Sequence, residues 1–400
     1  MKKVKLVAIA FAFTFVLIAF TAPPAAAVSR YDSLLSYMSD NYDAVRGGYV
    51  LPSDGVTRVN PTYGAFSIMD ETGTILQRPP PVSIPMALDF SVKHQWLSGD
   101  PEDTPRFGGF MDYLLGPVTA ATTYHGLVTW QLLKGQIGIP GTGDYELNSS
   151  SLSFWVNRTV SEDGGYASEV GNEPDLISTF YALASFRLID ETYSTENAWD
   201  TYVNETATLE WIESCKDGDA YMLSPISDRT SLTATAAAVL AHREIDPLAI
   251  IPDVSSIQSW ILDRQIMDYN VPEFIGGFEE GNATDDPNIL SSYFALKALD
   301  SLNGLSSINA TALENFILNC QSADGSWGFV PGLETGSMVY SAYVCQILNM
   351  TPIFSGAQST LSSSVDPHSP GTAGFDWRVL VVLGIIVVAL VAAIYSVRMD

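Results

Sequence analysis

Basic residues are scarce in this chain. Its 400 residues hold 19 Lys+Arg against 45 Asp+Glu, a formal charge of −26. Nucleic-acid binding needs clustered cations to neutralise phosphates, so this balance excludes it. It also disfavours adsorption to anionic lipid and electrostatic capture of a diphosphate. Cysteine is scarcer still. Three residues, with no CxxC and no Cys/His cluster, make neither a disulfide scaffold nor a zinc module, and no cofactor is expected. Apolar residues are not lacking: 47% hydrophobic and 11% aromatic content rules out intrinsic disorder.

The two ends set the expected compartment. Lys2, Lys3 and Lys5 precede an apolar run from Leu6 to Phe20, and Ala25, Ala26 and Ala27 follow. This is the layout of a secretory signal cleaved after Ala27, with an uncleaved anchor as the alternative. Residues 379–397 carry no charge. As a helix they would reach roughly 28 Å, enough to cross a hydrocarbon core. Trp377 and Tyr395 sit at the edges, where amphipathic rings settle. The expectation is a single-pass type I protein of the cell membrane: signal 1–27, extracytoplasmic domain 28–351, stalk 352–375, transmembrane helix and short tail 376–400. The stalk reading rests on the Ser, Pro, Gly and Thr content of its segment. Six N-x-S/T sequons, at Asn148, Asn157, Asn204, Asn282, Asn309 and Asn349, fit an exterior location as glycosylation candidates.

A repeat runs through the domain. A short amphipathic helix leads to a Gly-Gly-aromatic turn, a polar loop and an Ala/Leu-rich helix. One copy holds Leu152, Trp155, Gly164, Gly165, Tyr166 and Tyr181; another holds Ile257, Trp260, Gly276, Gly277, Phe278 and Tyr293. In both, the second Gly stands 16 residues before the Tyr of the following helix. Looser copies contain Tyr37 with Gly47 and Gly48, Trp96 with Gly108 and Gly109, Trp211 with Gly218, and Phe316 with Gly325. Each hairpin has an apolar face that it cannot bury alone, so copies must stack. The expected fold is all-α: six helical hairpin repeats closed as an (α/α)6 toroid, plus one C-terminal transmembrane helix. An open solenoid is the structural alternative.

This pattern resembles the prenyltransferase/squalene-cyclase (terpenoid cyclase) repeat family, whose members fold as α/α toroids. Residues Gln321 to Trp327 match its QW motif, Q-x-x-x-G-x-W, residue for residue. The resemblance covers about residues 31–350 and implies a fold more firmly than an activity. Its protein prenyltransferases imply a zinc site built from a D-x-C pair and a His in the next repeat. Here Tyr340 stands near the position like the His, the stretch at Asp285 and Asp286 has no Cys, and Ile177 follows Asp175 at the two-residue spacing. The D-x-D-D acid of protonating cyclases is missing, Asp100 to Asp103 being the nearest stretch, and so is C-G-E-Q of thioester toroids.

Candidate site residues remain. Asp175, Asp285, Asp286, Asp217, Asp219 and Asp324 cluster at turns and inner-helix starts. They read either as cavity carboxylates or as N-caps and turn residues. His125 follows Tyr124 at the start of an inner helix, as a rim residue or a ligand contact, and no G-x-S-x-G accompanies it. His94, His242 and His368 show no ligand spacing to one another. Trp155, Trp211, Trp260 and Trp327 fall at repeat positions and read as core rather than sugar platforms. Cys320 and Cys345 lie in one hairpin and can pair in an oxidising compartment, leaving Cys215 over. The expected function is a membrane-anchored, non-catalytic toroid that binds an unknown ligand or an extracellular protein. The alternatives are an extracytoplasmic enzyme acting on a glycan or isoprenoid lipid through cavity carboxylates, and a structural cell-envelope protein.

Overall fold

The computed structural model describes residues 27–75, 82–135, 145–193, 197–247, 251–281 and 286–369. The expected signal (but for Ala27) and the expected span 379–397 lie outside them, as do Asn282 and Asp285. Among the described residues no helix is long and apolar enough to cross a membrane.

Helix follows helix along the chain. Helix α1 (Arg30–Asp40) precedes a hairpin of β1 (Tyr49–Leu51) and β2 (Val56–Arg58), then α2 (Val59–Glu71). Next come α3 (Ile84–His94), α4 (Ala120–Gly135), α5 (Ser149–Asn157), α6 (Leu176–Thr192), α7 (Ala198–Tyr202) and α8 (Glu205–Ser214). A second hairpin, β3 (Lys216–Asp217) with β4 (Ala220–Tyr221), leads to α9 (Leu232–Ile245), α10 (Val254–Leu262), α11 (Ile289–Ser301), α12 (Ala310–Asn319), α13 (Met338–Leu348) and α14 (Ala357–Ser363). Both hairpins are antiparallel, pairing Tyr49 with Arg58 and Lys216 with Tyr221.

Residues Ser33–Thr360 form one compact unit. Within it, α2, α4, α6, α9, α11 and α13 each pack on the next, and α13 packs back on α2. The inner helices therefore close a ring rather than an open spiral. At the junction, Asn349 Nδ2 donates to the Glu71 carbonyl oxygen at 2.5 Å and to its carboxylate at 2.6 Å. A small second unit ties the described ends together, with Val28 N–H donating to Ser369 Oγ and Arg30 N–H to the Ser364 carbonyl.

Two hydrogen bonds recur and explain the repeat. The N–H of each turn aromatic donates to a hydroxyl 13 or 14 residues on, early in the inner helix. The pairs are Tyr49 to Thr62, Phe110 to Thr123, Tyr166 to Thr179, Tyr221 to Thr235, Phe278 to Ser292 and Trp327 to Ser341, at 2.8–3.2 Å. Each is buried, so the hydroxyl removes a desolvation cost of about 1–3 kcal/mol. The second bond reaches the next repeat. The first N–H groups of five inner helices, at Val59, Ala120, Leu176, Leu232 and Ile289, donate to the carbonyls of Asp112, Ser168, Leu223, Glu280 and Phe329. A helix start otherwise lacks partners for these donors.

The Gly pairs let neighbours approach. Gly164 has φ +98°, and a Cβ there would stand 2.5 Å from the Ala207 carbonyl carbon at the start of α8. Gly325 meets Ser33 of α1 in the same way, which carries the outer layer around the closure. The second glycines lie against the aromatics of the next outer helix, Gly109 on Trp155 and Gly165 on Trp211. Trp155, Trp211 and Trp327 are accordingly buried core. Trp260 is half-buried beneath the Arg264 guanidinium.

Three expectations need correction. The outer helix of the second repeat ends at His94, before Trp96, and contributes Phe90 instead. Gln95 leaves the helix because its side chain clamps the Asn148 backbone, accepting from its N–H and donating to its carbonyl, both at 2.8 Å. The expected stalk is folded as far as Ser369. Residues Ala357–Ser363 form a helix, Phe354, Ala357 and Leu361 are buried, and Ala357 N–H donates to Asn349 Oδ1. Cys320 and Cys345 are free and buried, as is Cys215. Cys320 closes the outer helix α12, whereas Cys345 sits on inner helix α13 with Glu71 near enough to act on its thiol.

Candidate functional site

The ring encloses a cavity of about 290 Å³ lined from all six inner helices. Its layers follow from helical register. An aromatic stands at the fifth or sixth residue of five of them: Tyr63, Tyr124, Tyr181, Tyr293 and Tyr343. Phe180, Phe294 and His125 fill the same layer. Later turns on the same faces bring Ser67 and then Asp70 and Glu71 from α2, Leu240 and Glu244 from α9, and Lys297 from α11. An aromatic floor thus lies below a predominantly acidic mouth.

The floor is stacked. Tyr63 and His125 rings are 4.0 Å apart and 9° from parallel, and Tyr293 and Tyr343 are 4.1 Å apart at 11°. The Tyr124 ring stands 5.9 Å from His125 and 5.4 Å from Tyr181. Gln346 Nε2 donates to the Tyr63 hydroxyl at 3.4 Å, and the Tyr181 and Tyr343 hydroxyls are hydrogen-bonded. Burial raises the pKa of all five phenols, so they remain protonated. His125 is neutral for the same reason, its pKa pushed down to about 3. Its Nδ1 donates to Asn60 Oδ1 at 2.8 Å. At the mouth, burial raises Asp70, and burial chiefly raises Glu244, with Glu191 adding and Arg187 and Lys297 opposing.

The predicted residues divide sharply. His125 is in the cavity. Asp175 is not among its lining residues: it caps α6, accepting from Ser178 N–H at 2.8 Å and from its hydroxyl at 2.7 Å. Asp286 is exposed and accepts from the Tyr269 hydroxyl. Tyr340 packs against Phe329, with ring centroids 5.5 Å apart, outside the cavity lining. Asp285 lies outside the described residues. Three sequons double as helix caps: the Oδ1 atoms of Asn148, Asn204 and Asn309 accept from Ser151, Ala207 and Ala312 N–H groups. Asn157 is the last, half-buried residue of α5, and Asn349 is engaged at the ring junction.

The sequence reading missed the tyrosine ring as a site and missed Asp70, Glu71 and Glu244 altogether. A signal existed. Tyr63, Ser67 and Asp70 are spaced i, i+4, i+7, which places them on one helix face. The zinc ion that the family resemblance implies finds no seat: among the described residues no group of three His, Cys, Asp or Glu side chains gathers to hold a metal.

Known proteins bear on this geometry. The family described as the prenyltransferase alpha-alpha toroid domain matches residues 117–271 and 252–366. Candida albicans protein geranylgeranyltransferase-I, solved with GGPP, superposes with a TM-score of 0.62 at 15% identity, covering 80% of this chain and 90% of that one. The type II terpene cyclase MstE from Scytonema gives 0.48 at 10% identity, covering 84% and 96%. No curated protein sequence matches the chain.

Proposed function

Since the chain belongs to the prenyltransferase alpha-alpha toroid family, we propose that it uses the family's central cavity to bind a ligand without transforming it, as a membrane-anchored protein of the cell surface. The observation that carries this reading is the composition of the cavity wall. Its one histidine is stacked, hydrogen-bonded and neutral, while Asp175 caps a helix and Asp286 faces outward. The deep part of the cavity is lined by protonated phenols and phenyl rings, with Asp70, Glu71 and Glu244 confined to its mouth, which suits holding a molecule more than cleaving one. The signal-like start and the apolar segment 379–397 support the membrane assignment.

The test has two arms. A polarity-sensitive dye displaced from the full-length protein by added ligand, with the ligand recovered unchanged, supports binding without turnover. Protease accessibility on intact cells checks the topology: the folded unit is expected to be cleavable from outside. Ligand recovered as product would transfer the assignment to the enzyme reading. That reading draws on a specific feature, the raised carboxyls of Asp70 and Glu244, which are the groups then expected to serve as acid or base on a glycan or isoprenoid lipid. Glu244→Gln would abolish turnover in that case.

A further inference from the structure

Resting on the reading that the cavity holds a ligand, we propose that this ligand is a small organic cation of the ammonium class, seated on the tyrosine floor beneath the acidic mouth. The floor is lined by Tyr63, Tyr124, Tyr181, Tyr293 and Tyr343 together with Phe180 and Phe294, with Tyr63 stacked on His125 and Tyr293 on Tyr343. A ring face carries the negative end of its quadrupole and attracts a cation, most strongly where water is excluded. Neutral phenols also lack the charge that would recruit a metal ion in place of a bulky, weakly hydrated one.

The charges above the floor have the matching sign. Asp70 stands exposed at the mouth, Glu71 lines the wall while accepting from Asn349, and Glu244 is half-buried on the facing wall. Glu191 lies close enough to Glu244 to raise it. Against these four acids stand Lys297, on the wall, and Arg187, whose guanidinium donates to the Glu244 and Ile245 carbonyls at 2.8 and 3.1 Å. Acid exceeds base around the opening.

The helices reinforce this field. The aromatic layer falls at the same register in five of the six inner helices, so these run parallel. Asp70 and Glu71 are the last two residues of α2, and Glu244 is the last but one of α9. The mouth therefore lies toward the helix C-termini, where each macrodipole is negative. The positive ends lie on the opposite side, and five of their leading N–H groups are already bonded to the next repeat. A diphosphate would meet carboxylates and negative dipole ends, whereas an ammonium group meets more acid than base until it reaches the rings.

The probe pair is choline and its uncharged carbon isostere 3,3-dimethylbutan-1-ol, titrated calorimetrically into the full-length protein. Cation–π contacts in a dry site and nearby acids predict that choline binds at least about tenfold tighter than the alcohol. Glu244→Gln is expected to weaken choline roughly fivefold and leave the alcohol unchanged, and Tyr293→Leu to weaken choline roughly tenfold, with thermal melts confirming folding. Equal affinity for the two probes would overturn the cation assignment while leaving a ligand-binding cavity standing. Binding of neither probe, with the dye of the displacement assay also excluded, would remove the cavity reading itself. Geranyl diphosphate outcompeting choline would overturn the charge argument.

Discussion

Replacing Gly164 by Ala tests whether neighbouring repeats interlock backbone to backbone. Two costs are expected at this position. Its φ of +98° is strained for any residue with a Cβ, at about 1–3 kcal/mol. The added carbon would also stand 2.5 Å from the Ala207 carbonyl carbon and 2.6 Å from its oxygen, and backbone atoms at a helix start do not yield as a flexible side chain would. Overpacking of this kind costs about 1–3 kcal/mol more. Gly171 supplies the control. It lies in the same repeat at φ +91°, and a Cβ there meets nothing within 4 Å. Gly171→Ala should therefore lose about 1–3 kcal/mol and Gly164→Ala about 2–6 kcal/mol. For a unit of this size the midpoint falls by roughly 2 °C per kcal/mol. Urea and thermal denaturation of both variants measure the difference. Ala207→Gly should not rescue Gly164→Ala, because the clash is with the carbonyl and not the methyl. Equal losses in the two glycine variants, or rescue by Ala207→Gly, would refute the interlock.

Other outcomes follow from individual bonds. Thr179→Val removes the acceptor of the buried Tyr166 N–H and should cost about 1–3 kcal/mol in a urea titration, whereas Thr179→Ser should be close to neutral. His125, with its pKa pushed down to about 3 by burial, takes its proton first in the unfolded chain, so stability should fall as pH drops from about 6.5. One such group gives a slope of about 1.4 kcal/mol per pH unit, and His125→Phe should flatten the acid limb by that amount; an unchanged slope between pH 6 and pH 4.5 counts against a buried neutral ring. In material from a glycosylating host, glycopeptide mapping should find Asn349 unmodified, because Nδ2, the atom a glycan would need, donates to Glu71 at 2.5 and 2.6 Å. A glycan at Asn349 would place that side chain outside the ring junction.

Much of the ring was written locally. The Gly pair, the aromatic after it and the Tyr 16 residues beyond mark a hairpin in Gly165 to Tyr181 and again in Gly277 to Tyr293, whereas closure over an open spiral is seen only in α13 packing on α2. The site was less legible for a geometric reason. Tyr63, Tyr124 and Tyr343 look like packing residues until the helices are arranged around a common axis, and Glu244 becomes a wall residue only when α9 faces α2 across the cavity. Local chemistry also misled in both directions. Asp175 has the burial of a functional acid but spends its oxygens on Ser178, and the sequons at Asn148, Asn204 and Asn309 coincide with the residue type that starts a helix. The C-terminal stretch read as a stalk because its composition is polar, although residues Ala357–Ser363 form a helix and Phe354, Ala357 and Leu361 are buried.

The handing of the first N–H of five inner helices to the following repeat bears on how this molecule comes apart. In an open array, terminal units have one neighbour and peel away first, so melting spreads inward by stages. Here α13 rests on α2 and Gly325 on Ser33, so every hairpin has a neighbour on both sides. Detaching any one breaks two contact surfaces at once, and detaching any but the first also strands a helix-start donor on the unit before it. Denaturation should accordingly proceed as a single concerted event, and a protein shortened by one hairpin should fail outright instead of surviving as a smaller version of itself.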